Sequence, residues 1–123
     1  MLQYLLIALG GAGGALSRYG VGRLCQSWFP SLSWPIGTFA VNIVGSALIG
    51  VAYVLITERG SVHTDWRYVL MVGFFGAFTT FSTFSLEAVA MLESGRIVLA
   101  FSYMLASLSL CVLACWLGII ATR

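Results

Sequence analysis

The chain has very little charge. Of its 123 residues only 8% are charged, against about 25% in ordinary soluble domains. It contains no lysine and no long polar stretch, which leaves no room for a soluble catalytic domain or a nucleotide-binding module, whereas 60% of its residues are hydrophobic. We therefore predict an integral membrane protein, not an enzyme, that works inside the bilayer with neither nucleic acid nor a soluble protein as partner.

Residues that bind transition metals are also few and scattered. Cys25, Cys111 and Cys115 contain no C-x-x-C spacing, and we interpret them as small apolar packing residues. The single histidine, His63, lies in a polar stretch with no second ligand nearby. We interpret it as a surface residue.

Four apolar segments reach the roughly 20 residues that a helix needs to cross a bilayer. They cover about residues 2–24, 37–56, 68–91 and 98–122. They occupy nearly the whole chain, so we predict one four-helix transmembrane domain over residues 1–123. The first segment lacks a basic start and is longer than the core of a signal peptide, which favours a retained helix.

The positive charges are balanced across the predicted membrane. With four crossings, both termini lie on the same side as the central loop, and each side then receives two or three of the six arginines. The orientation in which a protein inserts into the membrane normally follows an excess of Lys and Arg in its cytoplasmic loops. This chain therefore has almost no preference for one orientation. We predict insertion in both orientations and an antiparallel homodimer, a single-gene version of the inverted repeats of transporters. A fixed orientation is the alternative.

Polar residues interrupt the first two segments. Gly10 and Gly14 form a G-x-x-x-G pair, which allows two helix backbones to approach closely. Arg18 is costly within a span unless it snorkels, pairs or lines water, and both snorkelling and guarding a wet entrance to an anion path are open. The amide of Asn42 finds no partner in lipid, so it must face protein, water or a permeant species. A purely structural role between helices is equally open for Asn42.

The third segment contains a poor helix interior. Gly73 and Gly76 are followed by Thr79 and Thr80, and glycine costs about 1 kcal/mol relative to alanine in a helix. This predicts a break near residues 76–80. Irregular backbone at membrane depth is tolerated only where it is buried in protein or lines a cavity. Its freed carbonyls would suit a hard cation such as Na⁺.

Rings and hydroxyls alternate after the predicted break. Phe81 and Phe84 continue a row of phenylalanines spaced by three, and Ser82 and Thr83 lie between them. A phenylalanine ring has an electropositive edge, so these edges, with hydroxyl donors and the amide of Asn42, suit a small, strongly hydrated anion. We interpret the earlier Phe75 and Phe78 of the same row as lipid contact or packing.

Two further groups of polar residues lie in the apolar segments. Tyr103 and Ser107 are one turn apart in the fourth segment and share a helix face. Glu87 is the one acid well inside a span, where it needs a partner or a role.

Three stretches, GGAGGALSRY, GTFAVNIVGS and GFFGAFTTFSTFSLE, together resemble the Fluc (CrcB) family of fluoride channels. The resemblance implies an all-α fold in which two antiparallel, dual-topology subunits form two pores for F⁻. It also implies a broken third helix, a central structural Na⁺, and passive export of F⁻ from the cytoplasm across the bacterial plasma (inner) membrane.

The resemblance also assigns residues. Asn42, Phe81 and Phe84 would border the fluoride path, and the backbone carbonyls of Gly76 and Thr79 would bind Na⁺. Further residues would form a polar track or support the pore: Ser82, Thr83, Tyr103, Ser107, Glu87 and, toward the vestibule, Arg18.

Two alternatives differ in class. A small multidrug transporter is also a four-helix, dual-topology dimer, but it needs a carboxylate in the membrane to exchange H⁺ for a cationic drug, and Glu87 is the only candidate. A subunit that packs helices without transporting anything would explain the glycines and leave the hydroxyls without a role.

Overall fold

The computed structural model describes all residues 1–123 as helices joined by short loops, with no β-strand. The all-helical, four-helix prediction is confirmed, with the third helix in two pieces. We number the helices α1 (Leu2–Trp28), α2 (Ile36–Glu58), α3 (residues 67–78), α4 (Phe81–Glu93) and α5 (Ile97–Thr122). The last turn of α2, Val54–Glu58, and most of α3, Arg67–Phe75, are wound as π-helix.

Three segments are long and apolar enough to cross a membrane: α2, α5, and α3 with α4 taken together as Arg67–Glu93. Helix α1 has 27 residues, which is long enough, but its many glycines together with Gln3 and Arg18 lower its mean hydropathy. The fourth span predicted in α1 therefore stays a prediction.

Both termini and the loop between α2 and α3 meet at one end of the bundle. The side-chain amide of Gln3 lies 3.5 Å from the hydroxyl of Tyr68. At the other terminus, Arg123 donates to the carboxylate of Glu58 at 3.0 and 2.5 Å, and Arg59 donates to the backbone carbonyl of Arg123 at 2.8 Å. This is the arrangement expected when four segments alternate in direction.

Glycines bring α1 and α3 into backbone contact. A Cβ atom at Gly10 would overlap the carbonyl oxygen of Val69, and one at Gly14 would overlap the carbonyl oxygen of Phe74. The G-x-x-x-G pair is therefore used within the chain, against α3. It holds the first half of the broken helix in place.

A second pair of glycines joins α2 to α5 in the same way. A Cβ at Gly50 would overlap the carbonyl oxygen of Cys115, and one at Gly118 would overlap that of Ala47. The two contacts are reciprocal, one glycine from each helix, and they fix the distance between the helices that flank the site described below.

We expect Gly118→Ala to destabilise the subunit, because the new methyl group has no space against the backbone of α2. Overpacking of this kind costs about 1–3 kcal/mol. Thermal unfolding in detergent, followed by the loss of the monodisperse peak in gel filtration, measures it. Gly20→Ala is the matched control, since nothing lies within 4 Å of its Cβ; equal unfolding temperatures of the two variants would contradict the expected close contact.

The third segment breaks at two residues. Thr79 (φ −89°, ψ 159°) and Thr80 (φ −153°, ψ 119°) are extended, with helix on either side. The break lies within the predicted range 76–80. Just before it, Phe75 and Phe78 are buried at 7% and 6% exposure, so of the two predicted roles, lipid contact or packing, the structure shows packing.

Candidate functional site

The break leaves backbone groups without helical partners. The nitrogen of Thr79 still donates to Phe75, at 3.1 Å, but the carbonyl oxygens of Gly76, Phe78 and Thr79 accept no hydrogen bond. On the other side of the break, the first two N–H groups of α4, those of Phe81 and Ser82, donate none. A helix C-terminus is therefore open to a cation and a helix N-terminus is open to an anion, a few residues apart.

Asn42 holds the break from the side of α2. Its Nδ2 donates to the carbonyl of Thr80 at 3.1 Å, and its Oδ1 accepts from the N–H of the same residue at 2.8 Å. This two-point bridge replaces the helical partners that Thr80 has lost. Asn42 therefore has the structural role that the sequence left open. One of its two amide N–H groups is engaged in the bond to Thr80.

Arg18 supports the break from the side of α1. Its Nε donates to the carbonyl of Ala77 at 3.0 Å, and the side chain is partly buried. Arg18 therefore reaches inward to the broken helix rather than outward to the membrane surface. Since Ala77 lies between Gly76 and Phe78, this bond leaves the carbonyls on either side of it free.

The second half of the broken helix begins with a side-chain cap. The hydroxyl oxygen of Thr80 accepts from the N–H of Thr83 at 3.2 Å. Thr80 is thus the N-cap of α4, a position that favours Ser, Thr, Asp and Asn. Asn42 bonds to the backbone of Thr80, and α4 bonds to its side chain. These bonds together hold the start of α4 in position.

A cavity of about 220 Å³ opens beside the break. We call it the phenylalanine cavity; its lining residues, from α2, the broken helix and α5, are Asn42, Ser46, Thr79, Thr80, Phe81, Phe84, Ser107, Leu108 and Cys111. It brings together four of the predicted pore residues, Asn42, Phe81, Phe84 and Ser107. None of its lining residues is charged.

The two rings in this cavity differ in their surroundings. Phe81 is 76% exposed, and its one aromatic neighbour is Phe84, with ring centroids 5.4 Å apart. Phe84 is also 5.2 Å from the ring of Tyr103. Ser107 is 5% exposed, and its hydroxyl has no hydrogen-bond partner. Both phenylalanines therefore line the cavity, and Ser107 adds a buried hydroxyl without a hydrogen-bond partner to its wall.

A larger cavity of about 390 Å³ lies on the other side of Thr80. We call it the arginine cavity; its lining residues are Ala15, Arg18, Tyr19, Gly22, Arg23, Gln26, Gly37, Thr38, Val41 and Thr80. Two arginines, Arg18 and Arg23, line this one cavity, and Thr80 lines both cavities. An anion in the arginine cavity would therefore lie next to the break.

Known proteins match the chain over nearly its whole length. The family model described as CrcB-like protein, Camphor Resistance (CrcB) matches residues 5–119. The chain belongs to the CrcB family. Three similar bacterial proteins are each named "Fluoride-specific ion channel FluC". They come from Saccharophagus degradans (45% identical, covering 100% of this chain and 91% of that protein), Magnetococcus marinus (43%, 99% and 98%) and Coxiella burnetii (41%, 99% and 98%).

Tyr103 and Glu87 of this CrcB-family chain do not line the phenylalanine cavity. Tyr103 is fully buried, and its hydroxyl donates to Glu87 at 3.3 Å. Glu87 lines a third cavity that also contacts Gln26 and Thr38, two residues of the arginine cavity. The intramembrane acid thus has a partner in its own chain.

Ser82 and Thr83 do not line the phenylalanine cavity. The hydroxyl of Ser82 is 3.3 Å from that of Thr80, and Thr83 contributes its N–H to the cap. The next hydroxyl of the row, Ser85, donates to the carbonyl of Phe81 at 2.9 Å. Within the chain these hydroxyls form hydrogen bonds at the start of α4, and their assignment to the fluoride path stays a prediction.

Sequence reasoning missed the apolar Leu108 and three polar residues of the phenylalanine cavity, Thr80, Ser46 and Cys111. The sequence places Thr80 in a poor helix interior, although a threonine that opens a new helix is a recognisable N-cap. For Ser46 the sequence gives no prediction, because nothing in its neighbours indicates that it lines a cavity. Cys111 was interpreted as packing, and nothing in the sequence showed that it lines a cavity.

Proposed function

We propose that this CrcB-family chain conducts F⁻ passively across the bacterial plasma membrane and so exports it from the cytoplasm. The observation that supports this best is the phenylalanine cavity, in which Asn42, Phe81, Phe84 and Ser107 meet beside the open start of α4. The names of the relatives point to the same ion. They favour a channel over the proton-coupled cation transporter.

The donors around the cavity suit a small anion that has lost part of its water. The hydroxyl of Ser107 is unpartnered, and the N–H groups of Phe81 and Ser82 lie at the positive end of the α4 dipole. The electropositive ring edges of Phe81 and Phe84 complete the lining. No charged residue borders this cavity, so F⁻ is stabilised in it without being trapped.

The arginine cavity serves this function as a vestibule. Arg18 and Arg23 attract anions from water, and clefts lined by charge of one sign raise the local concentration of the opposite ion. Thr80 connects the vestibule to the phenylalanine cavity. Glu87 and Tyr103 would lie further along the polar track, together with Ser82 and Thr83.

The working unit in this proposal is an antiparallel homodimer with two pores. Phe81 supports it, because a ring that is 76% exposed beside a functional cavity is incompletely covered by its own chain. The balance of arginines between the two ends also supports it. Each phenylalanine cavity would be closed by the partner copy, so that both subunits contribute to each pore.

A structural Na⁺ at the dimer centre is part of the proposal. The residues fit such an ion, because the carbonyl oxygens of Gly76 and Thr79 have no donor in the chain and hard cations prefer oxygen ligands. Two subunits would together supply four carbonyls. The bound cation would neutralise the negative ends of the two α3 helices and hold the breaks of the two subunits together.

Fluoride efflux from proteoliposomes tests the function. Vesicles loaded with KF should release F⁻ when valinomycin lets K⁺ balance the charge, and vesicles loaded with KCl should release no more Cl⁻ than protein-free vesicles. Absence of F⁻ efflux, or equal Cl⁻ efflux, would refute the proposal. Proton-driven uptake of a cationic drug that Glu87→Gln abolishes would instead establish the transporter.

We expect the purified dimer to retain one Na⁺ for every two chains. The measurement is elemental analysis after gel filtration in a potassium buffer free of sodium. The same protein unfolded in sodium-free detergent before filtration is the control, since the carbonyl ligands of Gly76 and Thr79 exist as a set only at the folded break. Equal sodium contents in the two samples would rule out the bound ion.

A further inference from the structure

A cavity of about 400 Å³ lies at the end of the bundle that holds both termini. We call it the terminal cavity; its lining residues, from α1, the loop between α2 and α3, and α3, are Leu2, Leu6, His63, Asp65, Trp66 and Val69. None of them lines the phenylalanine or the arginine cavity. Its volume is within the roughly 300–1,000 Å³ of ligand pockets in proteins. The terminal cavity is therefore a separate candidate site for a small molecule.

The lining of the terminal cavity is polar in the loop and apolar in the helices. His63 and Asp65 precede Arg67, the first residue of the membrane-spanning segment. The three apolar residues lie in helices, Leu2 and Leu6 in α1 and Val69 in α3. Trp66 is 47% exposed, and tryptophan is enriched at the level of the lipid headgroups. This order, polar outside the bilayer and apolar within it, matches the headgroup and acyl chain of a phospholipid.

The carboxylate of Asp65 has no positive partner in the chain. Its Oδ2 is 3.5 Å from Nδ1 of His63, but that nitrogen accepts a hydrogen bond from the backbone N–H of Asp65 at 3.2 Å and so carries no hydrogen of its own. The hydrogen of the neutral imidazole is then on Nε2, which is available as a donor. No arginine forms a salt bridge with Asp65. The cavity therefore offers one anionic acceptor and one neutral donor.

We propose that the terminal cavity binds phosphatidylethanolamine, with its ammonium group at Asp65, its phosphate at His63 and an acyl chain along the apolar lining. A primary ammonium has three N–H donors for the carboxylate, and hydrogen bonds between charged groups are about twice as strong as neutral ones. The phosphate accepts from Nε2 of His63. The ring of Trp66 adds a surface that attracts cations.

Charge and hydrogen bonding favour this lipid over two others. Phosphatidylglycerol carries a net negative charge, and the terminal cavity contains the carboxylate of Asp65 but no arginine, so this headgroup is repelled. Phosphatidylcholine has the same net charge as phosphatidylethanolamine, but its quaternary ammonium has no N–H to donate. It keeps only the attraction of the ring of Trp66 and should bind more weakly. The inference does not rest on the proposed function, because it uses no residue assigned to the fluoride path.

Native mass spectrometry tests the preference, with the purified protein in detergent and an equimolar mixture of the three lipids, all with oleoyl chains. We expect the wild type to retain one phosphatidylethanolamine per chain, at least fivefold more than either other lipid. Asp65→Asn should retain at least fivefold less of it. Glu93→Gln is the matched control, since Glu93 ends α4 and does not line this cavity; it should behave as the wild type. An equal reduction in both variants would overturn the site.

The contribution of the ring has its own control. Trp66→Leu should retain less phosphatidylethanolamine than the wild type, whereas Trp116→Leu should retain the same amount, because Trp116 is 56% exposed on α5 and does not line the cavity. Equal retention of all three lipids by the wild type, or a preference for phosphatidylglycerol, would overturn the proposal.

Two further outcomes concern other occupants of the cavity. Free phosphoethanolamine at the same concentration should not be retained, because it lacks the acyl chains; retention equal to that of the lipid would show a site for a soluble amine. A dimer that retains none of the three lipids would show that the cavity is covered by the partner copy. Either result would overturn the assignment to a lipid.

Discussion

Asn42→Ala is expected to reduce fluoride flux by about 100-fold or more, equivalent to about 2.7 kcal/mol. The substitution removes both hydrogen bonds to the backbone of Thr80, at 2.8 and 3.1 Å. Thr80 is the N-cap of α4 and lines both cavities. Without the bridge the start of α4 is no longer held at the position where the two cavities adjoin.

The effect on stability should be much smaller than the effect on flux. Hydrogen bonds between membrane helices are worth about 0.6–1.7 kcal/mol each, so two bonds amount to about 1–3 kcal/mol. Because Thr80 lines two cavities, water can replace part of this loss. We therefore expect a dimer that still purifies from detergent, with a lower unfolding temperature and almost no F⁻ efflux.

Two further substitutions in α2 separate the possible causes. Val44→Ala is the matched control, because Val44 is 47% exposed and lines neither cavity; its flux should equal that of the wild type. Asn42→Asp keeps an acceptor for the N–H of Thr80 but loses the donor to its carbonyl and adds a negative charge, so it should conduct no better than Asn42→Ala. Flux of Asn42→Ala within twofold of the wild type would show that the bridge does not position the path.

Much of the fold could be predicted because membrane helices are encoded locally. Apolar runs of sufficient length predicted the helices, and the glycine and threonine residues around Gly76 predicted the break. Counting four crossings was enough to predict that both termini lie at the same end of the bundle. Which glycines face which helix could not be predicted, because G-x-x-x-G at Gly10 and Gly14 fits a contact within the chain as well as one between chains.

The site was predictable in its residues but not in their contacts. Asn42 was correctly identified as needing a polar partner, yet the sequence cannot show that its partner is the backbone of Thr80, 38 positions further along. The role of Arg18 could not be predicted for a similar reason. Its partner is the backbone carbonyl of Ala77, 59 positions further along the chain. Such contacts depend on the packing of α1, α2 and the broken helix, which is a tertiary property.

The second large effect on fluoride flux is expected at Phe81, which contributes little to the packing of its own chain. Phe81→Ile is expected to reduce fluoride flux by about 100-fold, equivalent to about 2.7 kcal/mol in the barrier. Isoleucine keeps the apolar bulk of the side chain but removes the electropositive ring edge. The ring of Phe84 then stands alone in the cavity, with Tyr103 on its far side.

Folding should be almost unchanged in the same variant. Phe81 is 76% exposed within its own chain, so the stability of the single chain should change by about 0.5 kcal/mol or less, and any larger effect should appear in the association of the two copies. Phe84→Ile should lose both flux and stability, because the ring of Phe84 lies between those of Phe81 and Tyr103, at 5.4 and 5.2 Å. The contrast between the two phenylalanines distinguishes a ring that lines the path from one that also packs the subunit.

Phe101→Ile provides the matched control for the loss of a ring. Phe101 is 53% exposed on α5, and it lines neither the phenylalanine nor the arginine cavity. Its flux and unfolding temperature should both match those of the wild type. Gel filtration must also show that Phe81→Ile remains a dimer, because the exposed ring is our main reason for placing the partner copy there. A Phe81→Ile dimer that conducts F⁻ as fast as Phe101→Ile would remove Phe81 from the path, while a monomer would show that the ring belongs first to the interface.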